Sequence, residues 1–145
     1  MKALRSALAA LGLGRRARRE PVISIDDPDL QVVVESYDDA EAASTALARA
    51  AGWDPGSPAV LRHHLALPCD AVDTARALLA SDEWVLRPGG RGDDLSVSGS
   101  TPLVALRVQR LDALHCSQEA SRMAGLAQRH GGETFGWDAL QPGAG

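Results

Sequence analysis

Hydrophobic and polar positions change their period along the chain, and the period predicts the elements. Residues 30–37 (LQVVVESY) are rich in β-branched side chains and predict a strand. Asp38 and Asp39 then offer N-caps to a helix reaching about Ala51, with Ala43, Ala46, Leu47 and Ala50 on one face. Gly52 is expected to end it, and Trp53 to supply the apolar contact after the cap. Residues 54–58 (DPGSP) are loop. From Val60 to Leu67 the alternation is strict. Leu61, His63, Leu65 and Leu67 point one way and Arg62, His64 and Ala66 the other, which marks a half-buried strand. On this reading His63 is a half-buried histidine of the core face and His64 a surface residue.

Pro68 stops that strand, and Asp70 is expected to cap a helix whose Val72, Ala75, Leu78 and Leu79 turn inward. Trp84 to Leu86 predicts a short strand, and residues 88–101, with five Gly or Pro, a mobile loop. Residues 103–111 alternate again, Val104, Leu106 and Val108 against Ala105, Arg107 and Gln109. Ser117 is expected to cap the last helix, which buries Ala120, Met123, Ala124 and Ala127. Arg129 and His130 suit the negative end of its dipole. Gly131 supplies a left-handed cap and Gly132 a tight lead into a last strand over 133–140.

Residues 60–140 therefore read β-α-β-β-α-β. Right-handed crossovers make this a ferredoxin-like sandwich, an α+β fold with both helices on one face of a four-stranded antiparallel sheet. A leading βα unit over 30–53 precedes it, and either extends the sheet or covers its open face. Residues 1–29 read as a basic tail and an acidic linker, both flexible, residues 30–140 as a single domain, and residues 141–145 as a flexible C-terminus. With the first and third strands central, Arg62, His64, Arg107 and Gln109 are expected to form a polar patch on the open face. That patch is a candidate small-molecule site.

Charge sharpens this picture. Residues 1–20 hold six basic residues and one acidic, 6 − 1 = +5, and the remainder nine and eighteen, 9 − 18 = −9. An acidic body argues against nucleic-acid binding by the folded domain and favours a protein partner with basic segments. The basic arm, with Leu4, Leu8 and Leu11 in a stripe, suits a frayed tail or a contact with anionic membrane or RNA. Its charges follow the apolar run, the reverse of a secretory signal. No stretch approaches the roughly 18 apolar residues of a transmembrane segment. Aromatic content of 3% makes the core aliphatic, with Trp53, Trp84 and Trp137 plugging its edges.

Candidate chemistry is sparse. Cys69 and Cys116 lie in no CxxC and read as reduced thiols of a cytoplasmic protein. His63 and His64 are adjacent on a strand and face opposite sides, and His115-Cys116 has no second pair at zinc spacing, so no metal is expected. Cys69 stands before a helix, where a dipole lowers a thiol pKa, but no base and carboxylate accompany it. Gly89-Gly90-Arg91-Gly92 lacks the Lys-Ser/Thr of a phosphate loop. The adhesion-like triplet Arg91-Gly92-Asp93 is a chance match. No catalytic residue, cofactor or enzymatic activity is expected.

One resemblance reaches a function. The run Leu126-Ala127-x-x-His130-Gly131-Gly132-Glu133, followed by Gly136-Trp137-Asp138, resembles the terminal signature of the regulator-of-ribonuclease-E-activity B family. A histidine-bearing strand ending at Pro68, followed by an Ala-rich helix, adds to it, so the resemblance spans about residues 60–140. It implies a ferredoxin-like fold and a non-enzymatic role, binding and inhibiting a ribonuclease E-type enzyme and so altering RNA turnover. Thr134-Phe135 stands where that family has Tyr-Asp, so no role is carried over at those two positions. Gly131, Gly132, Gly136 and Trp137 are expected to serve mainly backbone geometry and packing.

Overall fold

In the computed structural model, which describes residues 22–95 and 99–143, five strands build one antiparallel sheet. They are β1 (Leu30–Ser36), β2 (Ala59–Pro68), β3 (Val85–Pro88), β4 (Ser100–Gln109) and β5 (Glu133–Pro142). Helices α1 (Ala43–Arg49), α2 (Val72–Ala80) and α4 (Ala113–Arg129) alternate with them, and a short α3 (Gly92–Leu95) interrupts the β3–β4 loop. The strand order is β1-β5-β2-β4-β3. The expected α+β class holds. The sheet order is not that of a four-stranded ferredoxin-like sandwich, because the leading βα unit adds β1 at the β5 edge.

The alternation of β2 sends Leu61, Leu65 and Leu67 into the main core, where Leu79 of α2 and Met123 and Leu126 of α4 meet them, all essentially free of solvent. Ala46 and Leu47 of α1 join the same core and α1 packs against α4. The opposite face carries a smaller cluster of Val60, Val104 and Leu106, packed against Ile23, Ile25, Leu30 and Leu140. Residues 22–29, expected to be a flexible linker, are thus laid over the second face. A local turn (Asp27 N–H to Ser24 O, 3.1 Å) and an ion pair from Arg87 to Asp26 (2.7 Å) fix that strap. The basic arm, residues 1–20, lies outside the described residues.

Side-chain competition moved several helix ends. Asp112, not Ser117, caps α4 by accepting from the His115 backbone N–H at 2.7 Å, so the helix starts four residues earlier than expected. Asp38 spends its carboxylate on the Ala40 N–H (2.9 Å), which leaves Ala42 at the α1 cap without a side-chain bond. A 3₁₀ turn over Cys69–Ala71 precedes α2 and takes up Asp70. In α2, Ala75 and Leu79 are buried, whereas Leu78 is 46% exposed. Gly131 does supply the left-handed cap (φ 79°). β5 runs on to Pro142, and Gln141, expected in a flexible tail, is buried with its amide exchanging bonds with the Asp54 backbone (2.8 and 2.9 Å).

Candidate functional site

The β2–β4 register decides the fate of the predicted patch. Arg62 stands opposite Leu106 and His64 opposite Val104, while Arg107 stands opposite Leu61 and Gln109 opposite Ala59. Directly paired residues share a face, so Arg62 and His64 lie on the strap side and Arg107 and Gln109 on the helix side. The four do not form one patch. Arg107 stacks on the Trp84 ring (4.3 Å to the centroid) and ion-pairs with Glu119 of α4, and Gln109 Nε2 donates to the same carboxylate at 2.8 Å. The physical reason is the strap. It buries Val104 and Leu106, so the apolar set of β4 faces it and the polar set turns under the helices.

His64, expected at the surface, is only 2% exposed. It belongs to a buried cluster around Asp138, a residue that sequence reasoning did not single out. The Asp138 carboxylate is inaccessible to solvent and accepts from Arg62 Nε (2.6 Å) and Nη2 (2.8 Å) and from Tyr37 Oη (2.6 Å), with His64 Nε2 at 3.0 Å. Three separate elements deliver these groups. β2 supplies Arg62 and His64 as alternate residues of one face, β5 supplies Asp138 beside Arg62, and Tyr37 follows directly on β1. A register shift brings them into line. His63 pairs with Trp137 and Leu65 with Thr134, which sets Phe135 and Gly136 against His64 alone. This bulge carries Trp137 into the main core and Asp138 onto the opposite face. Gly136 makes it possible, because its φ is 95° and a Cβ there would fall 2.5 Å from the Ser36 carbonyl oxygen. Gly132 is needed for a related reason. A Cβ on it would fall 2.1 Å from Ala66 O.

Burial alone would push the Asp138 carboxyl upward, but bonds from His64, Arg62 and Tyr37 outweigh it and hold the pKa at about 2. The same environment raises the Tyr37 hydroxyl above its ordinary range, first through burial and then through the Asp138 carboxylate. Arg91 closes the cluster. Its backbone N–H donates to His64 Nδ1 (3.2 Å), its Nε–H donates to Phe135 O (3.1 Å), and its guanidinium lies 3.8 Å over the Tyr37 ring. With Nδ1 accepting, Nε2 carries the proton and donates to Asp138. Both ring nitrogens are therefore committed. Although a carboxylate and an imidazole stand together, no nitrogen is left to serve as a base, and the cluster works as a buried clamp between β1, β2 and β5. A basic pair at alternate positions of β2 and an Asp within an otherwise apolar strand were its only traces in the sequence.

On the helix side, a hollow of about 280 Å³ lies between the β1–α1 connection, β5 and α4. His63 and Trp137 lie deepest, Ala120 and Met123 give an apolar wall, and Asp38 and Asp39 stand at the rim. His63 is 3% exposed, and its ring packs edge-on against Trp84 at 5.3 Å. Its Nε2 is buried and has no hydrogen-bond partner among the described residues. Burial, aided by the neighbouring His64, takes its pKa down to about 3, so the ring is neutral. Glu41 also borders the hollow, but Arg49 (2.6 Å) and Ser36 Oγ (3.2 Å) engage its carboxylate. A second, more open hollow, between Tyr37, Arg91 and Phe135, shares Asp38, Asp39 and Thr134 with the first.

The distribution of charge around these hollows is uneven. Six of the nine arginines beyond residue 20 are paired with carboxylates: Arg49, Arg62, Arg76, Arg87, Arg107 and Arg122. Asp38 and Asp39, and Asp93 and Asp94 of α3 just beyond Arg91, are exposed and form no ion pair among the described residues. Cys69 is exposed and Cys116 buried, and neither is near a base. Among the described residues no group of His, Cys, Asp or Glu is arranged to hold a metal ion, and no helix is long and apolar enough to cross a membrane. No family model, curated protein or solved structure matches the chain.

Proposed function

We propose that this chain is a non-enzymatic protein-interaction module that receives a basic segment of a partner protein at the Asp38–Asp39 end of the sheet. One observation carries the reading. The arginines are largely neutralised inside the fold, whereas Asp38, Asp39, Asp93 and Asp94 stand open beside two hollows. Such a surface repels phosphate backbones and attracts cationic peptide. The likeness of the 126–138 run to the regulator-of-ribonuclease-E-activity B family makes a cytoplasmic ribonuclease E-type enzyme, with its basic RNA-binding segments, the partner of choice. The order β5-β2-β4-β3 supports that likeness, because a ferredoxin-like sandwich would place its four strands so, with β1 as an added edge. The small-molecule alternative on the open face loses its site with the division of Arg62 and His64 from Arg107 and Gln109.

The test is a binding titration of the purified chain against a purified ribonuclease E-type enzyme. The affinity should fall roughly tenfold between about 0.05 and 0.3 M salt, as expected for exposed opposite charges. Charge reversal by Asp38→Lys with Asp39→Lys should weaken it by a comparable factor. No binding at low salt, or binding indifferent to both changes, would sink the proposal.

A further inference from the structure

The hollow over His63 has a composition that the acidic end as a whole does not explain. A general electrostatic surface needs no buried acceptor, yet His63 Nε2 sits at the hollow's inner end without a partner. A buried polar atom in that state favours any ligand that can reach it with a hydrogen. The ring is neutral at physiological pH, so it does not repel a cation. Between it and solvent come apolar side chains, Ala120 and Met123, and then the carboxylates of Asp38 and Asp39. Read from outside inward, the sequence is anionic rim, apolar wall, single neutral acceptor. An anion is repelled at the rim, and an apolar side chain leaves the imidazole unserved. A long cationic side chain matches the first two zones, since its stem packs along apolar surface.

We propose that this hollow is a subsite for one arginine side chain of the partner segment, its guanidinium shared between His63 Nε2 and the Asp38–Asp39 carboxylates. This rests on the interaction reading above and names the residue read. Arginine fits better than lysine because its donors form a planar fork. N–H groups on different nitrogens can serve the imidazole and a carboxylate at once, whereas an ammonium gathers its donors at one point. His63 accepts in this complex, so its proton resides on Nδ1 when the subsite is filled. The pairing of His63 with Trp137 at the Gly136 bulge holds the acceptor in place.

The experiment uses the full-length wild-type chain, uniformly labelled with nitrogen-15, and two short basic peptides that differ only in one central arginine or lysine. Imidazole nitrogen spectra, with His63 assigned from a His63→Gln variant, report whether Nε2 gains a donor. The arginine peptide is expected to move the His63 Nε2 resonance and to bind roughly tenfold more tightly than the lysine peptide. If both peptides bind equally at low salt and the His63 resonance stays where it was, the hollow holds only solvent. The arginine subsite is then wrong, while the acidic-end reading stands. If neither peptide binds, both fall. Failure of the His63→Gln variant to fold does not affect the outcome, because wild-type titrations with both peptides show directly whether any imidazole nitrogen responds.

Discussion

Replacing Asp138 with asparagine keeps the shape of the side chain and removes its charge. The carboxylate now takes two bonds from Arg62 and one each from Tyr37 and His64. An amide can offer its oxygen to the Tyr37 and His64 side, but its NH₂ group must then face Arg62 Nε, donor against donor. Removing one partner of a buried pair costs about 3–5 kcal/mol. Arg62 retains 28% side-chain exposure and can recover some hydration, which brings the expectation to about 2–4 kcal/mol. Linkage gives an independent figure. A carboxyl whose pKa falls from 3.8 to about 2 on folding contributes roughly 2 kcal/mol at neutral pH. The sign follows from the depressed folded value. The contribution is complete above pH 3.8 and disappears as pH falls toward about 2. Urea unfolding of both proteins, followed by tryptophan fluorescence from neutral pH downward, measures the gap directly. Other carboxylates titrate in both chains and cancel in the difference. A gap under about 1 kcal/mol at neutral pH, or one that does not narrow below pH 3.8, would refute the assignment of Asp138 as the charged centre of this clamp.

Three further outcomes test other parts of the description. Gly136→Ala places a Cβ against the Ser36 carbonyl at a φ of 95°, so a loss of at least about 2 kcal/mol is expected, and an unchanged melting temperature would contradict the bulge. Leu79→Ala should cost about 2–5 kcal/mol and Leu78→Ala under about 1 kcal/mol, and equal losses in chemical denaturation would overturn the phase of α2. The Cys116 thiol is buried and pushed up to about 12, chiefly by that burial, while Cys69 is exposed. A thiol reagent near neutral pH should therefore titrate one cysteine in the folded chain and the second only in denaturant, and simultaneous reaction of both would count against this packing.

The way the strap and the clamp divide the sheet explains why the two faces have different characters. On one face Val60, Val104 and Leu106 lie under residues 22–30, with Arg62, His64 and Asp138 sealed beside them. On the other face three helices leave an opening only near the β1–α1 connection, where His63 lies beneath Asp38 and Asp39. Function, on this view, belongs to the edge of the helix layer rather than to the open face of the sheet.

Local pattern was sufficient for the elements. Alternation from Val60 to Leu67 placed Leu61, Leu65 and Leu67 on the core side, and Gly131 took its left-handed turn, because these properties depend on a residue and its immediate neighbours. Helix starts were less legible, since Asp112 and Ser117 are both good caps and only the packed chain decides between them. The strand pairings lay beyond local pattern altogether. Period-two alternation says that Arg107 and Val108 face opposite ways, but not which of them faces the helices. That was settled by the β2–β4 register and by the strap that buries Val104 and Leu106. The same holds for the charged clamp. Tyr37 and Asp138 are 101 positions apart and Arg62 and Asp138 are 76 apart, so no window of sequence contains both partners. What the sequence determined alone was the set of elements, the aliphatic core and the acidic surface. The tertiary structure decided which polar residues meet, because burial and pairing act on residues that are close in space and distant in the chain.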